Sequence, residues 1–232
     1  VKNPRKINIQ AVSELSSPKQ AMCRMGRRFL LSLLLLCAYP ALASASISMD
    51  LFGSTESESD NLEPFTKWTG MLVREAIHRQ KMQQSCHSEN CLYNQWQQMI
   101  AQAKAMTPLQ KINFVNREIN RVPYIVDPQN WQSDDYWETP YEFFIYSGDC
   151  EDFAIAKYLT LKNSGIPEDN MRIVVLQDMN LNLLHSVLAV RIEDETYILD
   201  NQFQQVMRDR SIHHYQPIYS INEHHWWRHM MP

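Results

Sequence analysis

Ser147-Gly148-Asp149-Cys150-Glu151-Asp152 is the stretch whose reading decides the fold and the chemistry. Gly148 permits a tight turn, and Asp149 stands where a helix N-cap is expected. Cys150 then becomes the first residue of a helix that continues to Asn163. Phe153, Ala154, Ala156, Tyr158 and Leu159 give that helix an apolar body, and Gly165 with Pro167 ends it. A thiol at the first helical position faces backbone N–H groups that have no intrahelical partner, at the positive end of the helix dipole. Both favour the thiolate. A structural cysteine would instead be expected among apolar neighbours, whereas this one is flanked by Asp149, Glu151 and Asp152.

On the N-terminal side of this stretch the spacing predicts helices. Phe65, Trp68, Leu72 and Ala76 mark a long one from Leu62 to about Gln84, and Leu92, Trp96, Met99, Ile100 and Ala103 a second. A third starts at Thr107 as N-cap with Pro108 at the first helical position. Arg121 to Pro140 reads as a long irregular segment rich in aromatic and acidic residues, and Ser54 to Asp60 as a mobile polar lead-in. On the C-terminal side, Met171–Leu176, Leu184–Ile192 and Thr196–Leu199 read as strands, the last two joined by a turn at Glu193-Asp194-Glu195. Helices followed by a mainly antiparallel sheet make an α+β fold.

That hairpin brings His185 and Asp200 to the same end of the sheet. A cysteine hydrolase needs an imidazole to take the thiol proton and a carboxylate to hold the ring's tautomer, so Cys150, His185 and Asp200 are the candidate catalytic triad. A strand histidine beside an aspartate is by itself more often a structural pair, and Cys150 is what raises the catalytic reading. The acids beside the sulfur oppose its ionisation. Two accounts stand. Asp149 and Glu151 offer hard oxygen ligands that suit calcium, which would neutralise the local field; alternatively Asp149 caps the helix, Asp152 completes its first turn, and no metal is bound.

Composition is that of a globular chain of 232 residues with room for one core. Arg24, Arg27 and Arg28 precede an apolar run, Phe29 to Ala38, too short to span a bilayer and followed by small residues around Ala43. This is the pattern of a signal peptide. We therefore expect residues 1–45 to be an upstream extension and signal peptide and residues 46–232 a single domain, not embedded in the membrane once the leader is cleaved. Removing residues 1–43 takes away seven Lys/Arg and one acid, leaving 15 positive residues against 25 negative. So acidic a chain argues against nucleic acid as partner and is compatible with divalent cations. Cys86 and Cys91 read as a small-loop disulfide of an oxidising compartment, with a zinc site using His87 as the weaker alternative. The histidines at 213, 214, 224, 225 and 229 read as solvated or packing residues rather than metal ligands.

The chain also resembles a known family. The segments that carry the likeness are Asn116-x3-Asn120-x2-Pro123-Tyr124-x2-Asp127, Trp131, Asp135-Tyr136-Trp137-x-Thr139-Pro140, Gly148 through Tyr158, His185 and Leu199-Asp200-Asn201. Together they look like the bacterial transglutaminase-like cysteine proteinases of the LapG type, over roughly residues 60 to 228. The resemblance implies a papain/transglutaminase-like core with N-terminal helices packed on an antiparallel sheet, and calcium bound by Asp149 and Glu151. It further implies a calcium-dependent periplasmic endopeptidase that cleaves the N-terminal region of a large repeat-containing surface adhesin to promote biofilm dispersal. Inhibition would come from capture on the periplasmic domain of an inner-membrane cyclic-di-GMP receptor. An oxyanion hole would use the Cys150 N–H and a second donor, with Trp137 a candidate by analogy with transglutaminases. Two other functions use the same residues: glutamine amide transfer, and calcium-responsive binding with a vestigial triad.

Overall fold

Ten consecutive buried residues, Asp152 to Leu161, make the helix that begins at Cys150 the axis of the fold. In the computed structural model, which describes residues 48–88 and 91–232, the chain order is β1 (Thr55–Ser59), α1 (Thr66–Ser85), α2 (Leu92–Lys104), α3 (Pro108–Ile119), α4 (Asp127–Asn130), α5 (Pro140–Tyr146) and α6 (Cys150–Asn163). The strands β2 (Met171–Asp178), β3 (Leu183–Ile192), β4 (Glu195–Leu199), β5 (Met207–Arg208), β6 (Tyr215–Ile221) and β7 (Trp226–Met230) follow. They form one sheet with β1, in the order β1-β7-β6-β2-β3-β4-β5, and every pairing is antiparallel. This is the expected α+β arrangement, N-terminal helices followed by an antiparallel sheet. Residues 1–45, and with them the expected leader, lie outside the described residues. Among the described residues no helix is long and apolar enough to cross a membrane.

α6 shows no one-sided apolar stripe because both its flanks are covered. α2, α3 and α5 pack on one flank, and β2 and β3 on the other. Phe153, Ile155, Tyr158, Leu159 and Leu161 join Trp68, Ile112, Val115, Leu188 and Ile221 in one cluster. At about 1.5–3 kcal/mol for each large apolar side chain removed from water, this burial fixes the helix, and so fixes where Cys150 stands. The other face of the sheet carries a smaller cluster, with Val174, Leu176, Val187, Ala189, Ile198 and Tyr215.

Several expectations hold to within a few residues: α2, α3 with Thr107 as N-cap, α6, and the β2–β4 meander. Cys86 and Cys91 form the disulfide between α1 and α2, which removes the zinc alternative at His87.

Three expectations need correction. Ser54–Asp60 is not a mobile lead-in, because residues 55–59 pair with β7 as an edge strand. What holds that polar strand is charge: the buried Arg172 guanidinium meets Glu56 at 2.8 Å and lies over the Trp227 ring at 3.5 Å. The irregular segment 121–140 contains the short α4. Immediately after it comes α5, opened by a reciprocal cap in which the Thr139 N–H donates to Glu142 Oε2 (2.8 Å) and the Glu142 N–H to Thr139 Oγ1 (3.3 Å). Gly148 is not required for a turn conformation either, since the left-handed residue is Ser147 (φ 64°). Gly148 is needed for space, because a Cβ there would lie 2.7 Å from Asp152 Cβ.

His229 settles part of the question about the C-terminal histidines. It is buried between Ser54 Oγ (2.8 Å to Nδ1) and Ser220 Oγ (2.9 Å to Nε2), and burial pushes its pKa down to about 4. His224 and His225 instead meet Glu168 (3.0 Å) and Glu58 (3.4 Å) near the surface.

Candidate active site

Cys150 occupies the first position of α6, half-buried, as expected. Asp149 is the N-cap residue. Asp152 completes the turn: its Oδ2 accepts the Asp149 N–H (3.0 Å) and its Oδ1 the Glu138 N–H (2.8 Å). That second bond ties the Trp137-Glu138 segment to the mouth of the helix. Trp137 is buried there, packed edge-on against Trp68.

β3 delivers the imidazole. Pairing between β3 and β4 stops at Leu188 and Leu199, so the edge of β3 before Val187 is open, and the Ser186 backbone N–H bears on the Cys150 sulfur. His185 is the preceding residue. The turn lies at Glu193-Asp194, since Ile192 pairs with Glu195. Asp200 follows the last paired residue directly, and it meets His185 diagonally across the open end of the hairpin. His185 Nε2 lies 3.0 Å from Asp200 Oδ1. An ionised carboxylate only accepts, so the proton is on Nε2 and Nδ1 is the nitrogen with a free lone pair.

The aspartate is held by more than the histidine. Gln202 N–H donates to Oδ1 (2.9 Å), Tyr215 Oη–H donates to Oδ2 (2.6 Å), and the Asn120 amide holds the Asp200 carbonyl (2.8 Å). Burial alone would raise the Asp200 pKa. The bonds from His185, Gln202 and Tyr215 outweigh it and hold the carboxyl below its usual range. Tyr215, on β6, is absent from the sequence reading, and nothing local in the sequence marks it.

Around the sulfur the balance runs the other way. Sγ donates to Glu151 Oε2 at 3.2 Å, and the thiol pKa is pushed well up by burial, then by the charges of Glu151 and Asp149. Burial also raises Glu138 to about 8 and Asp127 to about 6, and burial, followed by the adjacent Asp149 carboxylate, raises Glu151 to about 9. Three carboxylate groupings have oxygens or sulfur close enough to share a cation: Asp149/Cys150/Glu151, Asp127/Asp135/Glu151 and Asp127/Glu138/Asp152. Buried oxygens without partners face this region: Asp127 Oδ1, Glu138 Oε2 and Asp149 Oδ1. In a native protein such orphans call for a missing partner. Apart from the Cys150 sulfur the donors are all carboxylate oxygens, which fits a hard divalent cation of the calcium kind. Among the described residues no such grouping includes a histidine.

A thiol at a helix mouth and a strand histidine clamped by an aspartate are the parts of a cysteine peptidase, and here the thiol's own hydrogen bond goes to Glu151 rather than to the ring. Residues 78–231 match the family described as bacterial transglutaminase-like cysteine proteinase (BTLCP). The chain belongs to that family. Legionella pneumophila LapG has a similar structure at 35% identity, over 59% of this chain and 77% of that one, with a TM-score of 0.54. Its calcium-bound form matches at 35% identity over 64% and 84%, with a TM-score of 0.57, and its EGTA-treated form at 34% over 60% and 76%, with 0.55. No curated protein matches the sequence. The protein is thus a LapG-type cysteine protease with a transglutaminase-like core.

Proposed function

We propose that this cysteine proteinase is a calcium-dependent periplasmic endopeptidase working through Cys150, His185 and Asp200. The observation that carries the triad is the Nε2–Asp200 clamp, which leaves His185 Nδ1 with a lone pair free to take the Cys150 proton. In the reaction the Cys150 proton passes to Nδ1 and the sulfur attacks the scissile carbonyl carbon. The oxyanion then sits at the α6 mouth, where the Cys150 N–H has no intrahelical partner. The same proton goes to the leaving amine as the C–N bond breaks. Water, giving its proton to His185, next hydrolyses the thioester. Asp200 keeps the ring in the right tautomer and stabilises the imidazolium.

Asp149 and Glu151 would hold the calcium, with Asp127 and Asp135 within reach of Glu151. The ion supplies positive charge among these carboxylates. Glu151, which accepts the thiol proton's hydrogen bond in its absence, would then be drawn from the sulfur. Support comes from the orphaned oxygens and from the similarity to a LapG whose structure is calcium-bound. The Arg-led apolar run before Ala43 and the Cys86–Cys91 disulfide support a periplasmic location. By the family resemblance, the substrate is the N-terminal region of a large repeat-containing adhesin, and the regulator is the periplasmic domain of an inner-membrane cyclic-di-GMP receptor.

The test is cleavage of the N-terminal region of a co-encoded adhesin by the purified protein, with and without EGTA, beside Cys150→Ala. We expect cleavage with calcium, its loss with chelator and its abolition in the variant. Undiminished cleavage by Cys150→Ala sinks the triad; indifference to EGTA sinks the calcium assignment. Incorporation of a labelled amine without chain scission would replace hydrolysis by transfer.

A further inference from the structure

Lys157, on α6, is fully buried, and among the described residues its Nζ has no hydrogen-bond partner. The helix sets where it points. Seven residues make about two turns, so Lys157 stands on the same face as Cys150, about 10.5 Å further along the axis. Helical side chains lean toward the N-terminus, and here Nζ lies 5.7 Å from the centre of the Phe153 ring, one turn nearer the mouth. Burial pulls the Lys157 pKa down to about 7, against the Asp200 carboxylate, which favours the charged form. Among the described residues no other ionisable group, on α6 or on the elements packed against it, bears on this ammonium.

We propose that Lys157 is a positioning residue of the triad, a buried positive charge that acts through Asp200 and limits how tightly that carboxylate holds the proton on His185. The inference deepens the protease reading and rests on its triad. Neutral groups already supply the geometry of Asp200: the Asn120 amide holds its carbonyl (2.8 Å), the Gln202 N–H its Oδ1 (2.9 Å) and the Tyr215 hydroxyl its Oδ2 (2.6 Å). What the lysine alone adds is charge. A buried aspartate with no cation but the imidazolium stabilises that imidazolium to the full, and an imidazolium held too tightly is a poor acid for the leaving amine. A second cation shares the carboxylate, so the proton that His185 takes from Cys150 is more easily passed on.

The energetics point the same way. An ammonium sealed from water without a hydrogen bond costs folding free energy, and an aromatic ring at 5.7 Å offsets only a small part of it. An apolar chain of similar volume would fill the same space at less cost. A charge placed against stability beside the triad carboxylate is accounted for by the chemistry and not by the fold.

The experiment compares Lys157→Met and Lys157→Gln, both neutral and close to lysine in length, in cleavage of the N-terminal adhesin fragment by the calcium-loaded protein. We expect kcat at least about tenfold lower in both, with KM within about twofold of the wild type, because a sealed side chain does not touch the substrate. The acid limb of the kcat/KM profile should move up by at least about half a pH unit, since without the cation the Asp200–His185 pair holds its protons more tightly. Lys157→Met should melt no lower than the wild type near neutral pH. Full kcat in Lys157→Met, or an unmoved acid limb, overturns the proposal. So does activity kept in Lys157→Gln and lost in Lys157→Met, which would make the lysine a hydrogen-bond donor, and so does a fall in melting temperature that accounts for the lost activity. Cleavage that persists in Cys150→Ala removes the triad, and this inference with it; cleavage that depends on Cys150 but is indifferent to Lys157→Met removes the inference alone.

Discussion

Removing one hydroxyl from Tyr215 tests how the site is built. Asp200 is buried and accepts from His185 and Gln202 on Oδ1, but among the described residues Oδ2 accepts only from Tyr215, at 2.6 Å. Tyr215→Phe keeps the ring and its packing against Phe52 and His185. It leaves a buried anionic oxygen unpaired. A hydrogen bond to a charged group contributes about 1.5–3 kcal/mol, so stability should fall by about 2 kcal/mol, seen as a Tm lower by about 4–8 °C for a domain of this size. Activity should fall less than that energy allows, because Asp200 keeps the two bonds that aim it at His185. We expect kcat/KM about tenfold lower, equivalent to about 1.4 kcal/mol. The pH dependence gives the sign. The bonds to Asp200 hold its carboxyl below the usual range, so deleting one lets its pKa rise, and the acid limb of the activity profile should move to higher pH. Thermal melts and a kcat/KM profile between pH 4 and 8 read both effects, these limits being about those of protein carboxyl and imidazole titration. Unchanged melting and an unshifted acid limb would refute the claim that Tyr215 supports the aspartate.

Other perturbations follow from the same contacts. Gly148→Ala places a Cβ 2.7 Å from Asp152 Cβ, against a side chain that cannot move without releasing Asp149 and Glu138; overpacking of this kind costs about 1–3 kcal/mol, and activity should drop more steeply than the melting temperature. His229, with its folded pKa pushed down to about 4, refuses a proton that the unfolded chain takes near 6.5. Its stability contribution is therefore whole above about pH 6.5 and lost as pH falls toward 4, by up to about 3 kcal/mol, and denaturant titrations of His229→Gln should show a flatter dependence over that window.

The parts legible in the sequence are those whose cause is local. The start of α6 was readable from Asp149-Cys150 and the start of α3 from Thr107-Pro108, because caps act within one turn. The start of α5 carries the same signal in Thr139-Pro140 and Glu142, masked by the prolines and aromatics of the segment around it. β1 could not be read that way. Thr55-Glu56-Ser57-Glu58-Ser59 has no apolar alternation, and its partners, Arg172 and Trp227, lie more than a hundred residues away in the chain. Tyr215 is likewise invisible, since only the sheet order sets β6 where its hydroxyl reaches Asp200.

The acids at the mouth of α6 show why the sequence left two accounts of them open. Capping and cation binding both call for carboxylates at a helix start, so composition cannot separate them; hydrogen bonding can, atom by atom. Asp152 spends both oxygens on backbone N–H groups, the work of a cap and a brace. Asp149 Oδ1, Asp127 Oδ1 and Glu138 Oε2 accept nothing though buried, and Glu151 turns to the thiol for a proton. A helix that needed only a cap would be complete with the Asp149/Asp152 pair and would gain nothing from burying Asp127, Glu138 and Glu151 beside it, since each unpaired carboxylate oxygen costs free energy that folding must offset. The two accounts thus divide between atoms: the Asp149/Asp152 pair closes the helix, and the oxygens left over, with those of Glu151, Asp127 and Glu138, form an acidic hollow whose ligand chemistry suits a hard divalent cation.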